Sequence, residues 1–149
     1  MNPPRFDHEK LNVYHESLQF VAVATSLLER VPKSVAAHNQ LDRASTAIPL
    51  NIAEGSGKFT PPDRCRFFDT ARGSALECAA CLDVLVVKKI LQPDQITDAK
   101  RILISIVSML VGLIKAVAPD RVYEDAATYG SEERRAGASE RAGLKGRDA

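Results

Sequence analysis

The chain has 149 residues and 16.2 kDa, room for one domain plus a tail, and 45% hydrophobic residues allow it a buried core. Aromatics are 5% and Trp is absent, so that core has to be built from Ala, Val, Leu and Ile, which suits close-packed helices. Twenty Lys plus Arg against 19 Asp plus Glu give a net charge of +1, which excludes a strong global attraction to nucleic acid and leaves only a local patch or several copies acting together.

Met1 to Phe6 reads as a loose arm, with Pro3 and Pro4 opposing helix; no apolar leader follows. A first helix is expected over Leu11 to Arg30. Tyr14, Leu18, Val21 and Leu28 recur at helical spacing, and Val13 and Phe20 widen the apolar face. Pro32 marks its end. A second helix is expected from Ala36 to Glu54 on Leu41, Ala44, Ile48 and Ile52. Pro49 predicts a kink or break near Ile48, because it lacks the N–H and clashes with the preceding turn. Gly55 and Gly57 are expected to stop this helix.

The third helix has a clear start: Thr60 as cap, Pro61 at the first helical position, and Asp63 three residues after the cap. Its expected seam is Phe67, Ala71, Ser74, Cys78, Cys81 and Leu85, ending near Ile90. Pro93 and Asp94 open the fourth helix, with the seam Ala99, Leu103, Ile106, Leu110, Leu113 and Val117. Ile102, Ile104, Val107, Met109, Val111 and Ile114 make it apolar on most sides, the pattern of a helix buried on more than one face. Its nearly continuous apolar run, Ile102 to Ala118, is shorter than the ~20 residues of a membrane span, and Lys115 lies within it. Pro119 ends it.

These periods predict an all-α, antiparallel up-down-up-down four-helix bundle over 7–119. A disordered tail is expected over 120–149, because Gly130 to Ala149 is too polar to offset its ordering entropy.

Little in the sequence points to catalysis. Cys78 and Cys81 form C-x-x-C, but mid-helix and without paired histidines, so they read as small buried hydrophobes, not a zinc or redox site. Gly55-Ser-Gly57 lacks the Gly-Lys-Ser/Thr of a phosphate loop. No catalytic residue, metal site or cofactor is expected, and the three cysteines suit a reduced, cytoplasmic protein. Small residues, Ser105, Ser108 and Gly112 on the fourth helix and Ala71, Ser74 and Ala75 on the third, fit either close packing within the bundle or a contact between subunits. The basic residues Arg43, Lys58, Arg64, Arg66, Arg72, Lys88 and Lys89 spread around their helices. No aromatic platform is evident beside them, which argues against stacking of single strands.

One stretch is more specific. Arg43-Ala-Ser-Thr-Ala-Ile-Pro-Leu-Asn-Ile-Ala-Glu-Gly-Ser-Gly-Lys58 resembles the signature of the four-helix bundle proteins encoded by intervening sequences in bacterial 23S ribosomal RNA genes. Tyr14-His-Glu-Ser-Leu-Gln-Phe20 is similar to that family's opening helix, and Arg66-Phe-Phe-Asp-Thr-Ala-Arg-Gly-Ser-Ala-Leu-Glu77 to its third. The resemblance covers about Leu11 to Val117. It implies a ring-like homopentamer. It also implies kinship with the accessory protein of diversity-generating retroelements, a basic bundle that associates with a reverse transcriptase and nucleic acid. The nearly balanced charge departs from that pattern.

The expectation is therefore a non-catalytic, oligomeric bundle associated with RNA or a reverse transcriptase, with Arg43, Lys58, Arg64 and Arg72 as its nucleic-acid contacts and no membrane partner. A protein-binding scaffold without RNA contact is the alternative. Arg43, Asn51, Glu54 and Glu77 are polar residues on otherwise apolar helices. They are expected to form a partly buried structural cluster, in which Arg43 pairs with Glu54 or Glu77 and Asn51 bonds backbone freed by Pro49.

Overall fold

The computed structural model describes residue 3 and residues 5–120. Apart from Asp120, the expected disordered tail lies outside them. After a 3-10 turn, Asp7–Lys10, four helices follow: α1 (Asn12–Leu28), α2 (Ala36–Gly57), α3 (Pro61–Val87) and α4 (Thr97–Val117). A second 3-10 turn, Pro93–Gln95, precedes α4. Each helix packs on its neighbours in sequence and α1 closes on α4, so the chain forms an antiparallel up-down-up-down four-helix bundle. No strand is present among the described residues.

The core runs the length of the bundle. α2 supplies Ala37, Leu41, Ala44, Ile48 and Ile52, and α4 supplies Ala99, Leu103, Ile106, Leu110 and Ile114. On α1 the buried line is Val13, Ser17, Phe20, Ala24 and Leu27, and Leu18 faces solvent. On α3 it is Cys65, Phe68, Ala71, Ala75, Cys78, Leu82 and Leu85, while Phe67 and Ser74 are only half-buried. On α1 the buried line carries the small or polar Ser17 and Ala24, with the bulkier Leu18 and Val23 one position away; on α3 Phe68 is buried in place of Phe67; and on α4 Ile114 is buried where Leu113 and Val117 were expected, these two being half-buried. Ser17 is tolerated because its hydroxyl donates to the Tyr14 carbonyl at 2.6 Å.

Pro49 does not break α2, which is helical from Ala36 through Gly57. The helix forgoes one backbone bond there, but Pro49 is buried and α2 packs on both α1 and α3, so tertiary contact outweighs the local penalty. Gly55 does not stop the helix either. It is buried where α2 crosses α3: a Cβ on Gly55 would lie 2.7 and 2.8 Å from Phe68 ring atoms and 3.1 Å from the Phe67 Cβ. Glycine is required there for close approach, not for a turn.

Cys65, Cys78 and Cys81 are all buried and free. Burial, helped by the neighbouring Cys81 and Glu77, pushes the Cys78 thiol up to about 12. Burial and then Glu77 raise Cys81 as well. These thiols stay protonated near neutral pH and act as small hydrophobes. No group of three or more His, Cys, Asp or Glu side chains placed to hold a metal occurs among the described residues. No helix there is long and apolar enough to cross a membrane.

A candidate binding cleft at the α2–α3 corner

The corner begins with the last turn of α2, which closes with the Lys58 N–H donating to the Gly55 carbonyl at 3.3 Å. Lys58 and Thr60 are extended. Thr60 then caps α3, its Oγ1 accepting from the Asp63 N–H at 3.4 Å, and Pro61 and Pro62 fix the first helical residues. The connection is three residues long and tied at both ends.

On this corner opens a cleft of about 310 Å³ lined by Asp7, Leu11, Ser56, Lys58, Phe59 and Arg64. Ser56 Oγ and Arg64 Nε are buried, yet bond to nothing in the chain among the described residues. Leaving such a group unbonded costs about 1–3 kcal/mol, a local cost carried beside the cleft. Of the cations around it, Arg66 pairs with Asp63 at 3.8 Å, and Lys10 pairs with the cleft's own Asp7 at 3.6 Å. No ion pair engages Lys58 or Arg64 among the described residues.

Aromatic rings gather at the same end. Among the described residues only Phe20 and Phe68 are fully buried, and Phe6, Tyr14, Phe59 and Phe67 all lie near the corner. Phe59 is 100% exposed. The Lys58 ammonium sits 5.0 Å and the Arg66 guanidinium 5.2 Å from the centre of the Phe67 ring. Phe6 stacks on His8 with centroids 5.7 Å apart, and His8 meets Tyr14 edge-on at 4.7 Å. The expectation that no aromatic platform accompanies the basic residues is thus corrected. Phe59, Phe67 and Ser56 are the members that reading by charge overlooked. A signal was present: Phe59 is a large apolar residue in a short connection, where no helical face can bury it.

The four basic residues expected to contact nucleic acid are not brought together. Lys58 and Arg64 line the cleft. Arg72 lies about 12 Å beyond Arg64 along α3, and Arg43 about 21 Å up α2 from Gly57, at about 1.5 Å per residue. Both are exposed.

The expected structural cluster is corrected more sharply. Arg43, Glu54 and Glu77 are all exposed, and among the described residues no ion pair joins them. Asn51 does bond backbone, but its Nδ2 donates to the Ala47 carbonyl at 2.8 Å, one turn back on its own helix. The carbonyl that Pro49 leaves without its N–H partner is that of Ser45. Arg43, Glu54 and Glu77 face water, so removing Arg43 strands no buried carboxylate.

Comparison with known proteins adds a family. The family model described as "23S rRNA-intervening sequence protein" matches residues 9–112. Among solved structures, a protein of unknown function from the S23 ribosomal protein family of Bacteroides thetaiotaomicron superposes with a TM-score of 0.65. That match covers 69% of this chain and 98% of the other at 23% identity, a likeness of fold alone. No curated protein matches.

Proposed function

This chain belongs to the 23S rRNA-intervening sequence protein family, and from that membership we propose that it works without catalysis, as an oligomeric cytoplasmic bundle that associates with RNA. The observation that carries this reading is the corner cleft, where Lys58 and Arg64 have no carboxylate partner among the described residues and lie beside the exposed Phe59 ring. Cations supply affinity for phosphate, and rings supply a surface for bases. Lys58 and Arg64 are the centre of the contact, and Arg43 and Arg72 are outlying cations on the flanks. The kinship with the retroelement accessory protein that the family resemblance implies would extend the reading to a reverse transcriptase as protein partner.

Oligomerisation rests on a second surface. Between α3 and α4 runs an apolar groove of about 330 Å³ lined by Ala75, Leu76, Ala79, Leu103, Ile104 and Val107. Leu76 is 51% and Ile104 71% exposed. Ser108 and Gly112 are also exposed on α4, so part of its small-residue stripe faces away from the core, whereas Ala71 and Ala75 are buried inside the bundle. A second copy covering this groove accounts for the apolar surface of α4 that one bundle leaves open, and the family resemblance makes a pentamer the assembly of choice. The same groove favours the alternative, a scaffold that binds protein alone.

Titration of labelled RNA over a salt series separates the two. With about two to four phosphate contacts, log K should fall with log salt at a slope of roughly −1.4 to −2.8. Absence of RNA binding at low salt, with self-association intact, would leave the scaffold reading.

A further inference from the structure

The cleft combines features that select among forms of RNA. Lys58 and Arg64 line it without an ion pair among the described residues, while the carboxylates of Asp7 and Asp63 are engaged with Lys10 and Arg66. The floor holds a hydroxyl, Ser56 Oγ, and a guanidinium nitrogen, Arg64 Nε, that the rest of the chain leaves unbonded among the described residues. Next to the cations, Phe59 presents its whole ring to solvent. The backbone that carries the ring is a connection of three residues between two helices, not a long loop.

We infer that this cleft takes single-stranded RNA, with a backbone phosphate between Lys58 and Arg64 and an unpaired base stacked on Phe59. The inference rests on the RNA-associating function proposed above. Bases inside a duplex are already stacked on both faces and offer no free face to Phe59; an unpaired base does. The phosphate accepts from the Lys58 ammonium and from the outer guanidinium nitrogens of Arg64, whose planar geometry suits phosphate oxygens. A duplex could engage the cations but would leave the ring uncovered.

The chain contains no Trp, so Phe59→Trp places a single tryptophan, excited selectively above the absorption of the three tyrosines, on the stacking surface. Phe59 is fully exposed, so neither this change nor Phe59→Ala disturbs the core. The full chain and these variants are titrated with a single strand of about 12 uridines and with a duplex of the same length, within the usual site sizes. The single strand is expected to bind more tightly than the duplex. Phe59→Trp should keep that affinity and lose fluorescence on saturation, while Phe59→Ala should weaken binding roughly 5- to 100-fold. Lys58→Gln should weaken both ligands and flatten the salt dependence by about one phosphate contact. If the wild-type chain binds RNA but Phe59→Ala binds as well as wild type, or the duplex binds equally, the single-strand site is overturned and the broader RNA reading stands. If the wild-type chain binds neither ligand, that broader reading fails and takes this one with it.

Discussion

Phe68→Ala is expected to destabilise the bundle by about 3–5 kcal/mol, enough to lower the thermal midpoint by at least about 10 °C at fixed protein concentration. Phe68 is fully buried and is one of only two aromatic residues wholly inside the described core. It lies where α2 and α3, the most extensively packed pair of helices, cross at Gly55. Ala would remove the ring from between two helices that approach too closely to collapse further, so a cavity term adds to the lost burial. A typical domain has about 5–15 kcal/mol of stability in all, so this one change removes a large fraction of it. Denaturant unfolding measures the loss; a value under about 1 kcal/mol would mean that Phe68 is not the keystone of this crossing.

Gly55→Ala makes the second large prediction, because two effects of opposite sign meet there. Helix propensity favours Ala over Gly by about 1 kcal/mol in a helix interior. Against it, the new methyl would sit 2.7 Å from a ring atom of Phe68, whose side chain is buried and has nowhere to move. Overpacking of this kind costs about 1–3 kcal/mol and often more than the propensity returns, so Gly55→Ala should be destabilising. Gly73→Ala is the control. It lies inside α3, and nothing stands within 4 Å of an added Cβ, so propensity acts alone and stability should rise by up to about 1 kcal/mol. The two substitutions should therefore shift unfolding midpoints in opposite directions. In a double-mutant cycle, Phe68→Ala should abolish most of the penalty at Gly55, since the clash is with that ring.

Gly55 also shows why the fold was only partly legible in the sequence. α2 and α4 were readable because their buried lines are mostly large aliphatic residues at steps of three and four. α1 and α3 were readable as helices and partly in phase: Val13, Phe20 and Leu28 on α1 and Ala71, Cys78, Cys81 and Leu85 on α3 are buried as expected, whereas Ser17 and Ala24 take core positions beside the exposed Leu18, and Phe68 is buried in place of Phe67. Two residues with strong local meaning, Pro49 and Gly55, were read as helix breakers. Each is buried against a neighbouring helix, and that packing cannot be seen from one segment. The polar stretch from Arg43 to Glu77 misled in the other direction. Polar residues in an apolar context suggest a buried network, but Arg43, Glu54 and Glu77 occupy the solvent-facing side, and Asn51 is half-buried.

The candidate site followed the same logic. Charge alone grouped Lys58 and Arg64 with Arg43 and Arg72, which helix geometry then separates. What distinguishes Lys58 and Arg64 is the company they keep, and it comes from four segments. Asp7 and Leu11 come from the N-terminal turn and its exit, Ser56 from the end of α2, Phe59 from the connection, and Phe67 from α3. Only the antiparallel return of the chain brings them to one end of the bundle.

The central claim is that this corner is where the protein meets RNA, and photo-crosslinking tests it most directly. Single-stranded RNA carrying a photoreactive uridine is bound to the full chain at low salt, irradiated and digested, and the crosslinked peptides are mapped by mass spectrometry. The account predicts crosslinks concentrated in residues 55–67, Phe59 foremost, and their loss in Phe59→Ala. Crosslinks confined to the α3–α4 groove around Leu76 and Ile104, with none at the corner, would contradict it.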